Sequence, residues 1–142
     1  MPTEPIHSTL LGVDCTPRIV TYNTVDASPA AASETVIATL TIPNFANIAV
    51  VNGIDLSGWA AFTVGTSGAS VRLRIRQTSV AGTVKADTGV LTGGVAAGNL
   101  LAQDIEGYDS GAGVGVYVLT MTVGSGAAAS TVSALKIKAT IL

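Results

Sequence analysis

Ser70-Val71-Arg72-Leu73-Arg74-Ile75-Arg76-Gln77 decides the fold class. Its period is two: Val71, Leu73 and Ile75 fall on one face and three arginines on the other. That is a half-buried β-strand. Residues 115–123 repeat the pattern, with Tyr117, Leu119, Met121 and Val123 on one face and Val116, Val118, Thr120 and Thr122 on the other. In 34–42, Val36, Ala38, Leu40 and Ile42 form an apolar face opposite Thr35, Thr39 and Thr41. Ile37 interrupts the polar face and hints that it is covered. In 131–142, Leu135, Ile137, Ala139 and Ile141 read as inward, and Lys136, Lys138 and Thr140 as outward. Val132 is out of phase with that set, which predicts a bulge near Ser133-Ala134. Further strands are expected at 18–22, 46–52, 59–64 and 99–108.

Turn chemistry separates these runs: Asn52-Gly53, Thr66-Ser67-Gly68, Ala81-Gly82, Thr92-Gly93-Gly94, Asp109-Ser110-Gly111 and Gly124-Ser125-Gly126. Many short strands with recurring turns predict an all-β protein, a jelly-roll or related β-sandwich of about eight strands. The jelly roll is preferred and an immunoglobulin-like sandwich is second; the pattern does not give strand order. Residues 34–142 are read as the sandwich domain. Residues 1–33 hold Pro2, Pro5, Pro17 and Pro29 and the run Ala27-Ser28-Pro29-Ala30-Ala31-Ala32-Ser33, and read as an extended N-terminal arm with one short strand.

Composition bounds the function. Of 142 residues, 48% are hydrophobic but only 11% charged and 4% aromatic, with a net charge of -2. Soluble chains carry about 25% charge. Disordered chains show the opposite balance, nucleic-acid binders carry far more Lys and Arg, and coiled coils are rich in Glu, Lys and Leu. A monomer of this size exposes roughly 6,700 Å², so charge is sparse on its surface. Thr, Ser, Ala and Gly must fill that surface, or other subunits must cover it. Cys15 is the sole cysteine, so no intrachain disulfide forms. The N-terminus lacks the basic and apolar regions of a signal peptide, and no apolar run reaches the ~20 residues of a membrane helix. The expected setting is a reducing cytoplasm, with neither membrane nor nucleic acid as a partner.

Catalytic groups are scarce. His7 is the only histidine and lies in the arm, eight residues before Cys15, with no scaffold to position either. One His and one Cys do not make a zinc site. Asp104 and Glu106 share a strand face close to Asp109, a weak calcium candidate or simply a solvated strand end. The glycines of 92–98 lack a following Lys-Ser/Thr and read as a loop. No enzyme activity, cofactor or metal is expected. Arg72, Arg74 and Arg76 line one strand face, which suits phosphate contact, an acidic protein partner, or cross-strand pairing with Glu34, Asp55, Asp87 or Asp104. Trp59 and Phe62 are an odd number apart and cannot share a strand face, so one of them is a candidate partner contact.

The runs Glu34-Thr35-Val36-Ile37-Ala38-Thr39-Leu40-Thr41-Ile42-Pro43 and 62–76, with Gly94-Val95-Ala96-Ala97-Gly98-Asn99, 117–123 and the last strand, resemble tailed-phage structural proteins with a jelly-roll domain. The resemblance spans about 34–142 and lies in style and order, not in a signature motif. It implies a virion accessory role: head decoration (cement) protein, head fibre or minor tail component, commonly a trimer, without enzymatic activity. A decoration protein would sit on the capsid surface and bind the major capsid protein. Terminal arms in such proteins lie across neighbouring subunits, which makes Pro2, Pro5 and Ile6 interface candidates beside Arg72, Arg74, Arg76 and Trp59.

Overall fold

The computed structural model describes residues 18–22, 33–67, 69–91, 97, 99–124 and 131–142. The strands are β1 Arg18–Tyr22, β2 Glu34–Thr41, β3 Ile54–Thr63, β4 Val71–Gln77, β5 Val84–Asp87, β6 Leu100–Asp109, β7 Val116–Val123 and β8 Thr131–Ile141, with a 3-10 turn at Phe45–Asn47. They form two antiparallel four-stranded sheets, ordered β1-β8-β3-β6 and β2-β7-β4-β5. Each successive connection crosses between sheets except that from β4 to β5. Two interleaved sheets in this order are a jelly roll, the topology that the strand pattern alone left open. The strand expected within residues 1–33 is β1, which pairs with β8 through Arg18–Ile141 to Tyr22–Ile137. The rest of the expected arm, 1–17 and 23–32, lies outside the described residues.

Alternation sorts the side chains. Val71, Leu73 and Ile75 of β4 and Tyr117, Leu119, Met121 and Val123 of β7 face inward, all buried. Ile54, Leu56, Ala60 and Phe62 of β3 and Leu135, Ile137, Ala139 and Ile141 of β8 face them from the other sheet. Each large side chain so buried contributes roughly 1.5–3 kcal/mol. The bulge anticipated in β8 is present: Ala61 pairs with Ala134 but Phe62 with Val132, leaving Ser133 as the extra residue and returning Val132 to the core. A second bulge, in β2, corrects the sequence reading. Val36 pairs with Thr120 and Ala38 with Leu119, so Ile37 is inserted. Ile37 and Ala38 are buried, while Val36, expected inward, shares the outward row of Thr120.

Three strand expectations change. Segment 46–52 is not a strand. Pro43 and the left-handed Asn44 (φ 53) turn the chain into the 3-10 turn, and Phe45, Ile48 and Val50 pack on the core from that loop. The turn fits because Gly115 has no Cβ; one would stand 2.8 Å from the Phe45 ring. β3 begins at Ile54, not near residue 59, because ladders on both sides carry it through Asp55, Ser57 and Gly58. β5 is an addition: its four residues are too short for periodicity to register.

At one end of the sandwich a single carboxylate ties the sheets together. Asp109, at the end of β6, is 1% exposed. Tyr117 Oη (2.8 Å) from β7, Gln77 Nε2 (2.9 Å) from β4 and Lys85 Nζ (3.0 Å) from β5 all point at it, and Gly111 N donates at 3.1 Å. Three strands of one sheet thus converge on a residue of the other. Burial alone would raise the Asp109 carboxyl, but the donors from Tyr117, Lys85, Gln77 and Gly111 outweigh it and hold the group at about 2. The same burial, with the Asp109 charge, pushes the Tyr117 hydroxyl above its usual range.

A depressed carboxylate contributes stability that is complete above its unfolded value of about 3.9 and is lost as pH falls through its folded value. Urea unfolding is therefore expected to show stability falling between about pH 4 and about pH 2, with Asp109→Asn removing much of that slope. At neutral pH, Asp109→Ala is expected to cost about 3–5 kcal/mol, since it strands the Lys85 ammonium and the Tyr117 hydroxyl. A loss under about 1 kcal/mol would mean that the hub does not hold the sheets.

Candidate functional site

The outer face of the β2-β7-β4-β5 sheet carries the three arginines. Arg76 grips Glu34 with two nitrogens, Nε to Oε1 at 2.7 Å and Nη2 to Oε2 at 2.9 Å. Arg74 bridges both acids, Nη1 to Glu34 Oε2 at 3.0 Å and Nε to Asp87 Oδ2 at 3.1 Å. Arg72 holds Asp87 through Nε at 2.8 Å and through a second bond from Nη2. Thr120, buried beneath this layer, donates to Glu34 Oε1 at 2.5 Å. Cross-strand pairing, one of the three uses open to these arginines, is thus what the sheet makes of them, with Glu34 and Asp87 as partners. Burial would raise Glu34, but hydrogen bonds from Arg76 and Thr120 and both neighbouring arginine charges hold it below its ordinary value. Asp87 lies far below its own, chiefly through Arg72.

The β2 bulge makes this network. In an unbroken strand Glu34 would share the parity of Leu40 and Ile42 and point into the core. The inserted Ile37 reverses the phase, so Glu34 stands opposite Thr122 on the arginine face. The sequence held the signal in the out-of-phase Ile37 followed by the inward pair Ala38 and Leu40.

The outer face of the other sheet is different. Trp59 on β3 stands between Lys136 of β8 and Asp104 of β6, and Ser57 stands one row along between Lys138 and Glu106. Phe62 fills the core while Trp59 is half-buried on the outside, so Trp59 is the one that faces away. A shallow groove of about 380 Å³ runs beside Trp59, lined by Asp104, Glu106, Lys136 and Lys138. Asp55, Asp104, Glu106, Lys136 and Lys138 make no side-chain hydrogen bond or ion pair with any described residue. The three carboxylates considered for calcium are split, because Asp104 and Glu106 point out from this face while Asp109 is turned inward to its hub. Among the described residues no three metal-ligating side chains gather.

The ends of the sandwich form a third kind of surface, and periodicity does not reveal it. Every charged residue after Ser33 lies on a strand. Loops 42–53, 78–83 and 110–115 meet at one end, where Val51 N and Asn52 N donate to Leu142 O and Thr78 N donates to Val116 O. These loops contain no Asp, Glu, Lys or Arg, and they expose Val51 (64%), Val80 (40%) and Val114 (42%). The described loop residues at the opposite end, 64–67, 69–70, 88–91, 97, 99 and 124, are likewise free of charge. Pro2, Pro5, Ile6, His7 and Cys15 lie outside the described residues.

Replacing Glu34 tests the arginine layer. Glu34→Gln leaves three arginines facing one carboxylate, and is expected to lower stability by about 1–3 kcal/mol in low-salt urea unfolding. At 1 M salt the Debye length shrinks to about 3 Å, and the difference should narrow. A variant as stable as the parent at low salt would show that the layer contributes nothing.

Comparison with known proteins agrees with the fold. No protein-family model matches the chain, and no curated protein matches it in sequence. Among solved structures it is similar to the infectious bursal disease virus VP2 subviral particle, with TM-score 0.58 and 12% identity over 89% of this chain and 33% of that one. It is similar also to the structure of the infectious bursal disease virus Gx strain, with TM-score 0.55 and 14% identity over 89% of this chain and 32% of that one. The chain thus spans about a third of the length of the viral chains it matches, and what it shares with them is the all-β sandwich architecture.

Proposed function

We propose that the chain is a structural virion protein, a capsid decoration or cement protein that binds and stabilises the capsid surface as a homo-oligomer. The observation that carries this reading is the charge-free loop end at 42–53, 78–83 and 110–115, with Val51, Val80 and Val114 exposed there. A soluble monomer solvates its loops with charge; a building block leaves them ready to meet similar surfaces. The two viral structures of the same architecture and the resemblance to tailed-phage proteins support a virion setting. That resemblance also favours a trimer and the major capsid protein as partner. An oligomer touching several capsid sites at once compensates for weak single contacts through multivalency. β1 begins at Arg18, which pairs with Ile141 at the valine-bearing end.

The groove beside Trp59 supports a second reading, a receptor- or glycan-binding module of a fibre, adhesin or minor tail component. It is the weaker of the two, because a single aromatic side chain offers little stacking surface for a sugar.

Co-sedimentation separates them. The purified chain is expected to pellet with undecorated capsids of its own virus at a fixed ratio to the capsid subunit. Val51→Asp with Val114→Asp, at exposed positions, should weaken attachment at least tenfold with the circular dichroism spectrum unchanged. A chain that ignores capsids and binds cells or glycans would overturn the decoration reading.

A further inference from the structure

We infer that the outer face of the β1-β8-β3-β6 sheet is a self-complementary surface on which a second copy of this chain docks about a two-fold axis running along β3. All charged side chains after Ser33 that lack a partner among the described residues lie on this face, and their arrangement is ordered. Lys136 and Lys138 form a basic strip on β8; Asp104 and Glu106 form an acidic strip on β6. β3 lies between, hydrogen-bonded to both, so the two strips stand at equal distances of about 4.8 Å on either side of it. The rows match as well. Trp59 is level with Lys136 and Asp104, and Ser57 with Lys138 and Glu106.

The symmetry follows from this layout. Rotation by half a turn about an axis parallel to β3, above the sheet, exchanges left and right but leaves each row in place. Lys136 then faces the partner's Asp104 and Lys138 the partner's Glu106, each twice. Trp59 meets its own copy on the axis, offering apolar area where stacked sheets stand about 10 Å apart. An axis across the strands instead sets lysines on lysines and acids on acids, and is disfavoured. Asp55 is the like-charge meeting on the favoured axis. It lies at the end of the strip, one row of about 7 Å from Lys138 of either copy, and lines the same groove as Lys138 and Glu106. A glycan platform would need aromatic surface rather than matched strips of opposite charge. An isologous contact of this kind uses the same patch on both subunits.

The inference does not rest on the virion reading, and it makes the assembly even-numbered: a three-fold ring would pair with a second ring. Charge reversal tests it. Lys136→Glu with Lys138→Glu makes both strips acidic, and Asp104→Lys with Glu106→Lys makes both basic. Each double variant, measured alone by light scattering after gel filtration, is expected to show half the native mass of the parent with an unchanged circular dichroism spectrum. An equimolar mixture of the two is expected to regain the parental mass, because each variant then meets the opposite strip. A parental chain with an odd number of subunits, variants that keep the parental mass, or a mixture that stays dissociated would each overturn the inference.

Discussion

After Ser33, charge in this chain is confined to the strands, and a strand leaves a side chain only two directions. A charge pointing inward must be fully satisfied, and Asp109 is: four donors hold it, three of them from strands of the opposite sheet. A charge pointing outward lands on a sheet face beside its cross-strand neighbours, where it is either neutralised or displayed. Glu34, Asp87 and three arginines neutralise one another on one face. Asp55, Asp104, Glu106, Lys136 and Lys138 are displayed on the other. The described loops between β2 and β8, where soluble proteins normally place charge, carry no Asp, Glu, Lys or Arg.

Register is what makes this division work. Three single-residue insertions set it, Ile37 in β2, Ser133 in β8 and Lys85 in β5. Without the first, Glu34 would turn toward the core and the arginines would lose their main counter-charge. Without the second, either Val132 or the Leu135 to Ile141 series would face solvent. Bulges of this kind re-aim side chains without altering strand order. Here they decide which charges meet, and so they connect the backbone to the surface chemistry. Gly107 makes a comparable demand at the β5–β6 corner: a Cβ there would stand 2.4 Å from the Lys85 carbonyl oxygen, so the strand bearing Lys85 can lie close enough to reach Asp109.

Much of this was legible in the sequence. The β4 and β7 alternations give their buried faces directly, the β8 bulge follows from the phase of Val132, and the odd spacing of Trp59 and Phe62 puts only one of them in the core. Cross-strand pairing of the arginines is one of the uses their spacing allows, and Glu34 and Asp87 are among the acids that suit it. Strand order was not legible, because pairing partners such as β2 and β7 are about eighty residues apart and no local pattern encodes that distance. Segment 46–52 reads as a strand because its apolar residues pack on the core from a loop, which mimics strand periodicity. The acidic strip was visible only as a loose cluster until the fold separated Asp109 from Asp104 and Glu106 and set lysines on the far side of Trp59.

The central claim is that this jelly roll is a subunit, with a surface made to be covered by other protein. Its native mass in solution, by sedimentation equilibrium at micromolar concentration and physiological salt, tests that claim most directly. The account predicts a fixed multiple of 14.1 kDa that holds over a tenfold dilution. A mass of one chain at every concentration would contradict it.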